Sequence, residues 1–276
     1  MELITSVNNQ RVKDVANLKL KKYRTESGMF FAEGLRAVRE AVTYAEVYDL
    51  FFSAAEEEKL DDILKTAKEK GIRLYQADDK VMAKLSDTKT PQGVLAVIRI
   101  PDHDLQKLRP GAASDNNAPV IILDRVQDPG NLGTIIRTAD AVGALGVILL
   151  EGCVDAYSPK VVRASMGSLF HLPVVQDIFP EEVLTWCYRN GYEPAATAMK
   201  GAANLYKTDL SKKMAFIFGN EANGVSEELQ AAAETRLFIP MEGQAESMNV
   251  AMAAGVVLFE GLRQRKFMLH KAQRLF

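Results

Sequence analysis

Residues 123–150 read LDRVQDPGNLGTIIRTADAVGALGVILL, and this stretch predicts a strand-helix-strand unit. A buried strand is predicted to end at Asp124, a Pro-Gly turn follows, and a helix is predicted to open near Asn131. The apolar run GVILL then predicts a second strand. A strand, a helix and another strand in close succession are typical of a parallel sheet that is covered on both faces.

Two polar residues of this stretch, Asn131 and Arg137, follow the predicted end of the first strand. Ligands of open α/β sheets collect at the carboxyl ends of the strands, which makes both residues candidates for a site. A plainer interpretation also fits, in which Asn131 caps the helix and Arg137 is a surface cation. The stretch alone leaves both interpretations open.

A second strand-loop-helix unit is predicted in MAFIFGNEANGVSEEL, residues 214–229. The strand stops at Gly219, the loop carries Glu221 and Gly224, and Ser226 can cap the next helix. Glycines allow a backbone to approach a ligand closely, although an ordinary connection explains the same residues. The G-x-G-x-x-G and G-x-x-x-x-G-K-[ST] signatures of dinucleotide and nucleoside triphosphate sites do not occur in the chain.

A third unit is predicted in RLFIPMEGQAESMNVAMAAGVVLFEGLRQR, residues 236–265. Its strand ends at Ile239, and a polar loop with Ser247 and Asn249 leads into a long helix that is rich in small residues. Small residues let another backbone pack closely. A buried core helix and an interface helix explain them equally well.

The chain divides where three prolines gather with glycine, serine and asparagine, between residues 101 and 119. We predict an N-terminal domain over 1–105, a linker over 106–118 and a C-terminal domain over 119–276. Strands alternate with helices in both domains, and a basic helix is predicted over about 8–22.

The net charge of −2 gives no indication of a nucleic-acid partner, but the distribution of charge does. Six basic and two acidic residues occur in 1–24, and five basic and one acidic residue in 260–276. These ends could face phosphates, or they could be solvated helix faces. Two distant cysteines and three scattered histidines exclude a disulfide framework and a zinc site. With no apolar run of membrane-spanning length, a cytoplasmic protein is expected.

A family resemblance emerges when the motifs are taken in order. The segments NLGTIIRTA, FGNEANGV and IPM followed by MNVAMAAG resemble the three motifs of the SpoU (TrmH-like) family of SPOUT RNA 2'-O-ribose methyltransferases. The segments SVNNQRVK, LKLKKYR, FAEG and TPQGV are similar to that family's accessory RNA-binding domain. Met248 stands where the family more often has leucine. The resemblance implies an α/β fold, with a C-terminal parallel-sheet SPOUT domain that contains a deep trefoil knot and a smaller N-terminal L30e-like domain.

The resemblance also implies S-adenosyl-L-methionine as the methyl donor, with no metal. The cofactor contacts it implies are Gly219, Ile239, Met241, Ser247 and Met248. Arg137 matches the family's catalytic arginine, and because a guanidinium keeps its proton, we expect it to bind a phosphate and stabilise the developing alkoxide. Asn131 would orient Arg137 or the ribose, and Glu221 and Asn249 would complete a polar ring around the hydroxyl. The identity of the general base stays open.

The expected partners are RNA and a second copy of the chain, which would pack through the last helix at residues 251–255. Four basic residues are expected to contact RNA: Lys19, Lys21, Lys22 and Arg24. The accessory domain favours 23S ribosomal RNA over transfer RNA as the substrate. A transfer-RNA 2'-O-methyltransferase, a non-catalytic RNA-binding homologue and a small-molecule methyltransferase are the alternatives. Neither the target nucleotide nor a role in ribosome maturation or antibiotic resistance can be read from the sequence.

Overall fold

A computed structural model describes residues 1–109, 116–198 and 201–273, with side chains as far as Lys266. The chain forms two compact units. Unit 1 contains residues 1–102 and 155–171, and unit 2 contains 103–154 and 172–276. The predicted domain limits stay a prediction, and residues 110–115 of the predicted linker lie outside the described residues.

The α-helices are α1 Gln10–Asn17, α2 Lys21–Ser27, α3 Leu35–Tyr44, α4 Asp61–Glu69, α5 Asp79–Leu85, α6 Pro129–Ala141, α7 Pro159–Ala164, α8 Pro180–Asn190, α9 Glu227–Ala232 and α10 Val250–Gln273. The strands are β1 Glu2–Ile4, β2 Met29–Glu33, β3 Val47–Ser53, β4 Arg73–Ala77, β5 Val94–Arg99, β6 Val120–Leu123, β7 Gly146–Leu150, β8 Val174–Ile178, β9 Glu193–Thr197, β10 Ala203–Asn204, β11 Met214–Phe218 and β12 Thr235–Phe238.

Unit 1 is built on a mixed five-stranded sheet in the order β1-β4-β3-β5-β2. The pairs β1–β4 and β3–β4 are parallel, whereas β5 runs antiparallel to β3 and to β2. Helix α3 buries one apolar stripe, Ala37, Val38, Ala41 and Val42, because these residues recur at helical spacing. The alternation of strands and helices predicted for this part of the chain is confirmed.

The basic N-terminal helix predicted over about 8–22 is wrong as one element, because α1 ends at Asn17 and α2 begins at Lys21. Leu18 between them is buried, and Leu20 has an extended backbone that cannot continue a helix. The Arg24 guanidinium donates to the Leu18 carbonyl oxygen at 2.7 Å and to the Asp155 carboxylate at 3.0 Å through Nε. A buried cation therefore fixes the break.

Residues 155–171 belong to unit 1, although they follow β7 of unit 2 in the sequence. Their helix α7 packs against β2, and Arg163 donates to the Glu33 carboxylate at 2.9 Å. His171 lies 3.1 Å from the Glu40 carboxylate. The chain thus completes unit 1 with a segment that no sequence pattern marks as part of it.

Unit 2 is built on a seven-stranded sheet in the order β10-β12-β9-β11-β6-β7-β8. All its strand pairs are parallel, as predicted. Strands β6, β7 and β11 are buried along their whole length, which explains why they read as continuous apolar runs. Helix α6 turns Leu132, Ile135, Ile136 and Ala139 into the core. Among the described residues, no helix combines the length and the hydropathy of a membrane span.

Candidate active site

The candidate site lies where the strand order of the unit 2 sheet reverses. From β6 the chain proceeds to β7 on one side, whereas β11 and then β9 lie on the other. Leu123 of β6 pairs with Phe218 of β11, so the carboxyl ends of these parallel strands lie side by side. Ligands of open α/β sheets bind at such a switch point. The loops after β6 and β11 therefore define the site.

A buried carboxylate, Asp124, ties these two loops together. It accepts hydrogen bonds from the Ser226 backbone N–H at 2.7 Å and from Arg125 Nε at 2.8 Å. Asn220 donates its Nδ2 to the Arg125 carbonyl oxygen at 2.8 Å. Arg125 has φ 56°, a left-handed conformation that is costly for a residue with a side chain. Three interactions thus hold a strained turn at the strand end, and sequence reasoning missed them.

Helix α6 is capped by Asp128 rather than by Asn131, which corrects the plainer interpretation of Asn131. The Asp128 carboxylate accepts from the Asn131 backbone N–H at 2.8 Å, and Pro129 occupies the first turn of the helix. An aspartate directly before a proline at a helix start is a readable signal that the sequence analysis did not use. Because Asp128 performs the capping, the Asn131 side chain is available for other contacts.

A hydrogen-bond chain joins the three motifs through Glu221, Asn131 and Asn249. Asn131 Nδ2 donates to Glu221 Oε1 at 3.0 Å, and Asn249 Nδ2 donates to Asn131 Oδ1 at 3.0 Å. The side-chain oxygen of Asn249 accepts hydrogen bonds from the backbone N–H groups of Ala251 and Met252 at the start of α10. A carboxylate can only accept, so the orientation of both amides follows from Glu221. We call this set the Glu221–Asn131–Asn249 chain.

Glu221 is held as a carboxylate. Partial burial raises its pKa, but hydrogen bonds from Asn131 and from the backbone N–H groups of Asp128 and Gln127 outweigh this, and the pKa lies below its ordinary value. A carboxylate whose oxygens already accept three hydrogen bonds is a weak proton acceptor near neutral pH. The geometry favours orientation over base catalysis for Glu221.

Arg137 lies on the exposed side of α6, away from the buried stripe. It makes no ion pair or hydrogen bond within the part of the chain that the structure describes, so its guanidinium is available to a ligand. On the same side, Thr138 uses its hydroxyl to donate to the Thr134 carbonyl oxygen at 2.9 Å. Among the described residues, no hydrogen bond or ion pair joins Arg137 to the Glu221–Asn131–Asn249 chain.

The loop after β11 closes on itself and leaves no room for a side chain at Gly219. A Cβ there would lie 2.0 Å from the carbonyl carbon of Gly224. Asn220 and Gly224 exchange two backbone hydrogen bonds of 3.0 and 2.9 Å, with Gly224 at φ 69°. The backbone groups of Gly219 make no hydrogen bond among the described residues, so they can be satisfied by a ligand.

The other predicted cofactor contacts lie in the loop between β12 and α10. Ile239 is half-buried, whereas Met241, Ser247 and Met248 are exposed. Within the described ranges, the backbone groups of Ile239 and Met248 take part in no hydrogen bond. Asn249, at the end of this loop, connects it to the other two motifs through Asn131.

The four basic residues predicted to contact RNA have different environments in unit 1. Lys21 and Lys22 are exposed. Lys19 donates to the carbonyl oxygens of Lys84 and Ser86 at 3.0 and 2.6 Å. Arg24 is only 4% exposed and its guanidinium is paired with Asp155. A phosphate contact at Arg24 is therefore corrected to a structural role, because burial and its partners leave no accessible donor.

The basic C-terminal end likewise contains a structural cation. Arg265 is buried and donates to the carbonyl oxygens of Asn117 and Val142 at 3.2 and 3.1 Å. Arg263 pairs with Glu260 at 2.7 Å. The side chain of Lys271 and all of Arg274 lie outside the described residues. The described part of this end favours helix packing over a phosphate surface.

Two family models match the chain. Residues 118–259 match the SpoU rRNA Methylase family, and residues 9–96 match the MRM3-like substrate binding domain. The first match covers the three motifs and the sheet switch point. The predicted family is thereby confirmed.

Individual relatives match nearly the whole chain. The 23S rRNA (guanosine(2553)-2'-O)-methyltransferase RlmP of Bacillus subtilis is 36% identical over 94% of this chain and 98% of its own length. The 23S rRNA (uridine(2479)-2'-O)-methyltransferase of Streptomyces viridochromogenes is 33% identical over 95% and 92%. The AdoMet-bound rRNA methyltransferase from Sinorhizobium meliloti superposes with a TM-score of 0.84, at 34% identity, over 95% of this chain and 97% of the other.

The Glu221–Asn131–Asn249 chain predicts a pH-dependent defect for Asn131→Asp. The new carboxylate can accept from Asn249 but cannot donate to Glu221, so two carboxylates face each other and we expect a loss of about 1 kcal/mol in the free energy of unfolding at neutral pH. In the wild type, the lowered pKa of Glu221 contributes to the free energy of unfolding at neutral pH, and this contribution is lost as the pH falls through that pKa. The mutant defect should shrink in acid, because one proton shared by the pair restores a hydrogen bond.

The measurement is denaturant unfolding of both proteins between neutral pH and about pH 4, near the ordinary carboxyl pKa. The double variant Asn131→Asp with Glu221→Gln supplies the control, since the glutamine amide can donate where Glu221 cannot. We expect it to recover part of the loss. A defect that is independent of pH and unchanged in the double variant would show that the chain does not couple these residues.

Proposed function

The chain belongs to the SpoU rRNA Methylase family, and we propose that it transfers a methyl group from S-adenosyl-L-methionine to a ribose 2'-hydroxyl of 23S ribosomal RNA. The observation that carries this proposal is the Glu221–Asn131–Asn249 chain, which brings one polar residue from each motif to the sheet switch point. The names of the two relatives, both 23S rRNA 2'-O-methyltransferases, support the substrate class.

The cofactor contacts are proposed at the loops after β11 and β12. S-adenosyl-L-methionine supplies an electrophilic methyl group on its sulfonium when bound. The backbone groups of Gly219, Ile239 and Met248 make no hydrogen bond within the described residues, so they would be available to the polar edges of such a ligand. The exposed side chains of Met241 and Ser247 would shape the space around it. The backbone at Gly219 lies so close to the backbone of Gly224 and Val225 that only a glycine fits at this position of the loop.

Methyl transfer to a hydroxyl is an in-line displacement, so most of the rate comes from holding the hydroxyl in place. We assign this positioning to Asn131 and Asn249, whose amide orientations are fixed by Glu221. The Arg137 guanidinium, which has no partner in the described part of the chain, would bind the adjacent phosphate and stabilise the developing alkoxide. We favour this role of Arg137 over that of a general base, because a guanidinium holds its proton.

A second copy of the chain is the proposed partner of α10. Met252 and Phe259 are 61% and 51% exposed, and their spacing of seven residues places both on one side of α10. Ala251 and Ala254 are buried inside unit 2, so the predicted small-residue face is only partly available. Gly255 weakens the helix, yet a Cβ there would meet nothing within 4 Å. A second helix that approaches this side would use the space.

Three features stay predictions: the deep trefoil knot, the absence of a metal and the cytoplasmic location. None of the described residues form a cluster of three or more histidine, cysteine, aspartate or glutamate side chains that could hold a metal ion. The similarity to a bacterial 23S rRNA methyltransferase supports the cytoplasmic location. Digestion from either terminus followed by refolding kinetics would test the knot. Metal analysis of the purified protein would test the absence of a metal, and cell fractionation would test the cytoplasmic location.

Arg137→Ala and Gly219→Ala should separate chemistry from cofactor binding. Arg137→Ala should lower methyl transfer by about 10²–10³-fold, because a charge-stabilising donor is lost, and leave cofactor affinity unchanged. Gly219→Ala should abolish cofactor binding, since the new methyl group would lie 2.0 Å from a backbone carbon. The rate of methyl transfer is measured with labelled cofactor and with ribosomal RNA taken from a strain that lacks the gene. Cofactor affinity is measured by titration calorimetry.

Arg189→Ala, which removes an exposed cation of α8, is the control. Unimpaired transfer by Arg137→Ala would remove Arg137 from the proposed role.

The basic residues of unit 1 should also separate into two classes. Lys21→Ala with Lys22→Ala should lower the slope of log affinity against log salt by about 1.5 without affecting stability, because two phosphate contacts are lost. Arg24→Ala should lower the free energy of unfolding by about 3–5 kcal/mol, because Asp155 is left without its buried partner. RNA-binding titrations at several salt concentrations and denaturant unfolding measure the two effects. An unchanged salt slope in the lysine variant would contradict the contact.

Met252→Glu together with Phe259→Glu should produce a monomer. Burying two carboxylates against a second copy is costly, whereas both positions are exposed within the chain, so the fold itself should persist. Sedimentation velocity measures the oligomeric state and circular dichroism the fold. Phe179→Glu changes a comparably exposed aromatic residue, 50% exposed and directly before α8, and should leave the dimer intact. A dimer that survives the double substitution, or a monomeric wild type, would overturn the proposal.

A further inference from the structure

Unit 1 contains a cavity of about 240 Å³ that the methyl-transfer site does not use. It lies at the start of α3, beside the segment between α5 and β5 and the end of α7. Its lining includes Arg36, Thr90 and Gln92, together with Arg163 and Met166 from residues 155–171. The substrate-binding family model ends at residue 96 and includes neither Arg163 nor Met166.

The acidic group of this cavity is already neutralised. Glu33 accepts hydrogen bonds from Arg163 Nη1 at 2.9 Å, from the Ser86 hydroxyl at 2.6 Å and from the Asp87 backbone N–H at 3.2 Å. Gln92 accepts from the Leu35 backbone N–H at the start of α3, at 3.2 Å. The walls are therefore fixed before any ligand arrives, and Glu33 presents no free carboxylate to repel an anion.

Two polar groups of the cavity are unused. Arg36 is exposed and makes no ion pair or hydrogen bond with the rest of the described chain. The Thr90 hydroxyl likewise has no partner among the described residues. A free guanidinium and a free hydroxyl together suit a ligand that combines a negative charge with neutral hydrogen-bonding edges.

Met166 forms the apolar wall in a strained conformation. Its φ is 53°, although it carries a side chain, and it is 39% exposed. The next residue, Gly167, has φ 99°, and a Cβ there would lie 2.6 Å from Glu40 Cγ. Backbone strain of this kind clusters at active sites and ligand clamps. A thioether is polarisable and adapts to a flat partner.

We propose that this cavity holds one unstacked nucleotide of the RNA substrate, with its phosphate at Arg36, its base against Met166 and a hydrogen bond from Thr90. The inference rests on the proposed function for the RNA substrate. Single-stranded RNA is recognised through bases that leave the stack and enter pockets, whereas a duplex is too wide for a cavity of 240 Å³. Residues 155–171 thus complete an RNA site in unit 1.

The test uses the full chain and fluorescein-labelled RNA hexamers of adenylate, cytidylate and uridylate, with affinity measured by anisotropy. Arg36→Ala and Thr90→Val should weaken binding of the preferred hexamer, the first by about tenfold. The matched control is Arg39→Ala, which removes the same charge from the same helix but pairs with Asp62 outside the cavity. We expect it to change affinity by less than about threefold.

Met166→Gly separates strain from binding. Glycine accepts a positive φ, so the relief of strain should offset most of the lost side-chain packing and keep the unfolding temperature near that of the wild type, while hexamer affinity falls. Equal effects of Arg36→Ala and Arg39→Ala, undiminished affinity in Met166→Gly, or no binding of any hexamer at about 1 mM would each overturn the cavity assignment.

Methyl transfer to ribosomal RNA distinguishes a failure of this inference from a failure of the proposed function. If the cavity holds a substrate nucleotide, Arg36→Ala should raise KM for RNA and leave cofactor affinity unchanged. Methyl transfer by Arg36→Ala with an unaltered KM for RNA would overturn the role of the cavity in RNA binding but would agree with the proposed methyltransferase function. If the wild type transfers no methyl group while Arg36→Ala selectively loses hexamer binding, the proposed methyltransferase function is overturned and the RNA site in unit 1 is supported.

Discussion

The carboxylate of Glu221 determines how the site of unit 2 is assembled. It accepts three hydrogen bonds, one of them from Asn131, and thereby fixes which way that amide points. Asn131 then presents an oxygen to Asn249, and Asn249 uses its own oxygen to start α10. One charge thus orders a loop, a helix start and a second helix start that are far apart in sequence. Arg137 takes no part in this hydrogen-bond chain within the described residues and is therefore available to a ligand.

This arrangement is possible because β6 and β11 are neighbours. Their parallel pairing places Asp124 and Gly219 next to each other, and Asp124 then holds the start of α9 through the Ser226 N–H. The strained φ of Arg125 is the cost of turning the chain out of β6 at this point. Sheet order, and not any local motif, converts three separate loops into one surface.

The apolar runs of unit 2 predicted its strands well, because strands that are buried on both faces have little choice of residue. The order of those strands could not be read, since pairing partners are distant in sequence. Asp128 could have been recognised as the α6 cap from the proline that follows it. The burial of Arg24 could not, because its partner Asp155 is 131 residues away. Charge counting treated Arg24 and Lys22 alike, although only burial distinguishes them.

Residues 155–171 show why domain limits drawn from composition are incomplete. A linker is polar and rich in proline and glycine, so it can be located, whereas a segment that belongs to another unit looks like ordinary chain. Arg163 neutralises Glu33 and Met166 lines the cavity beside it. If the cavity holds an RNA nucleotide as proposed, a substitution within residues 155–171 alters RNA binding by unit 1 and leaves the Glu221–Asn131–Asn249 chain of unit 2 in place. RNA binding and methyl transfer would then depend on residues of different units, although both sets lie in the same stretch of sequence.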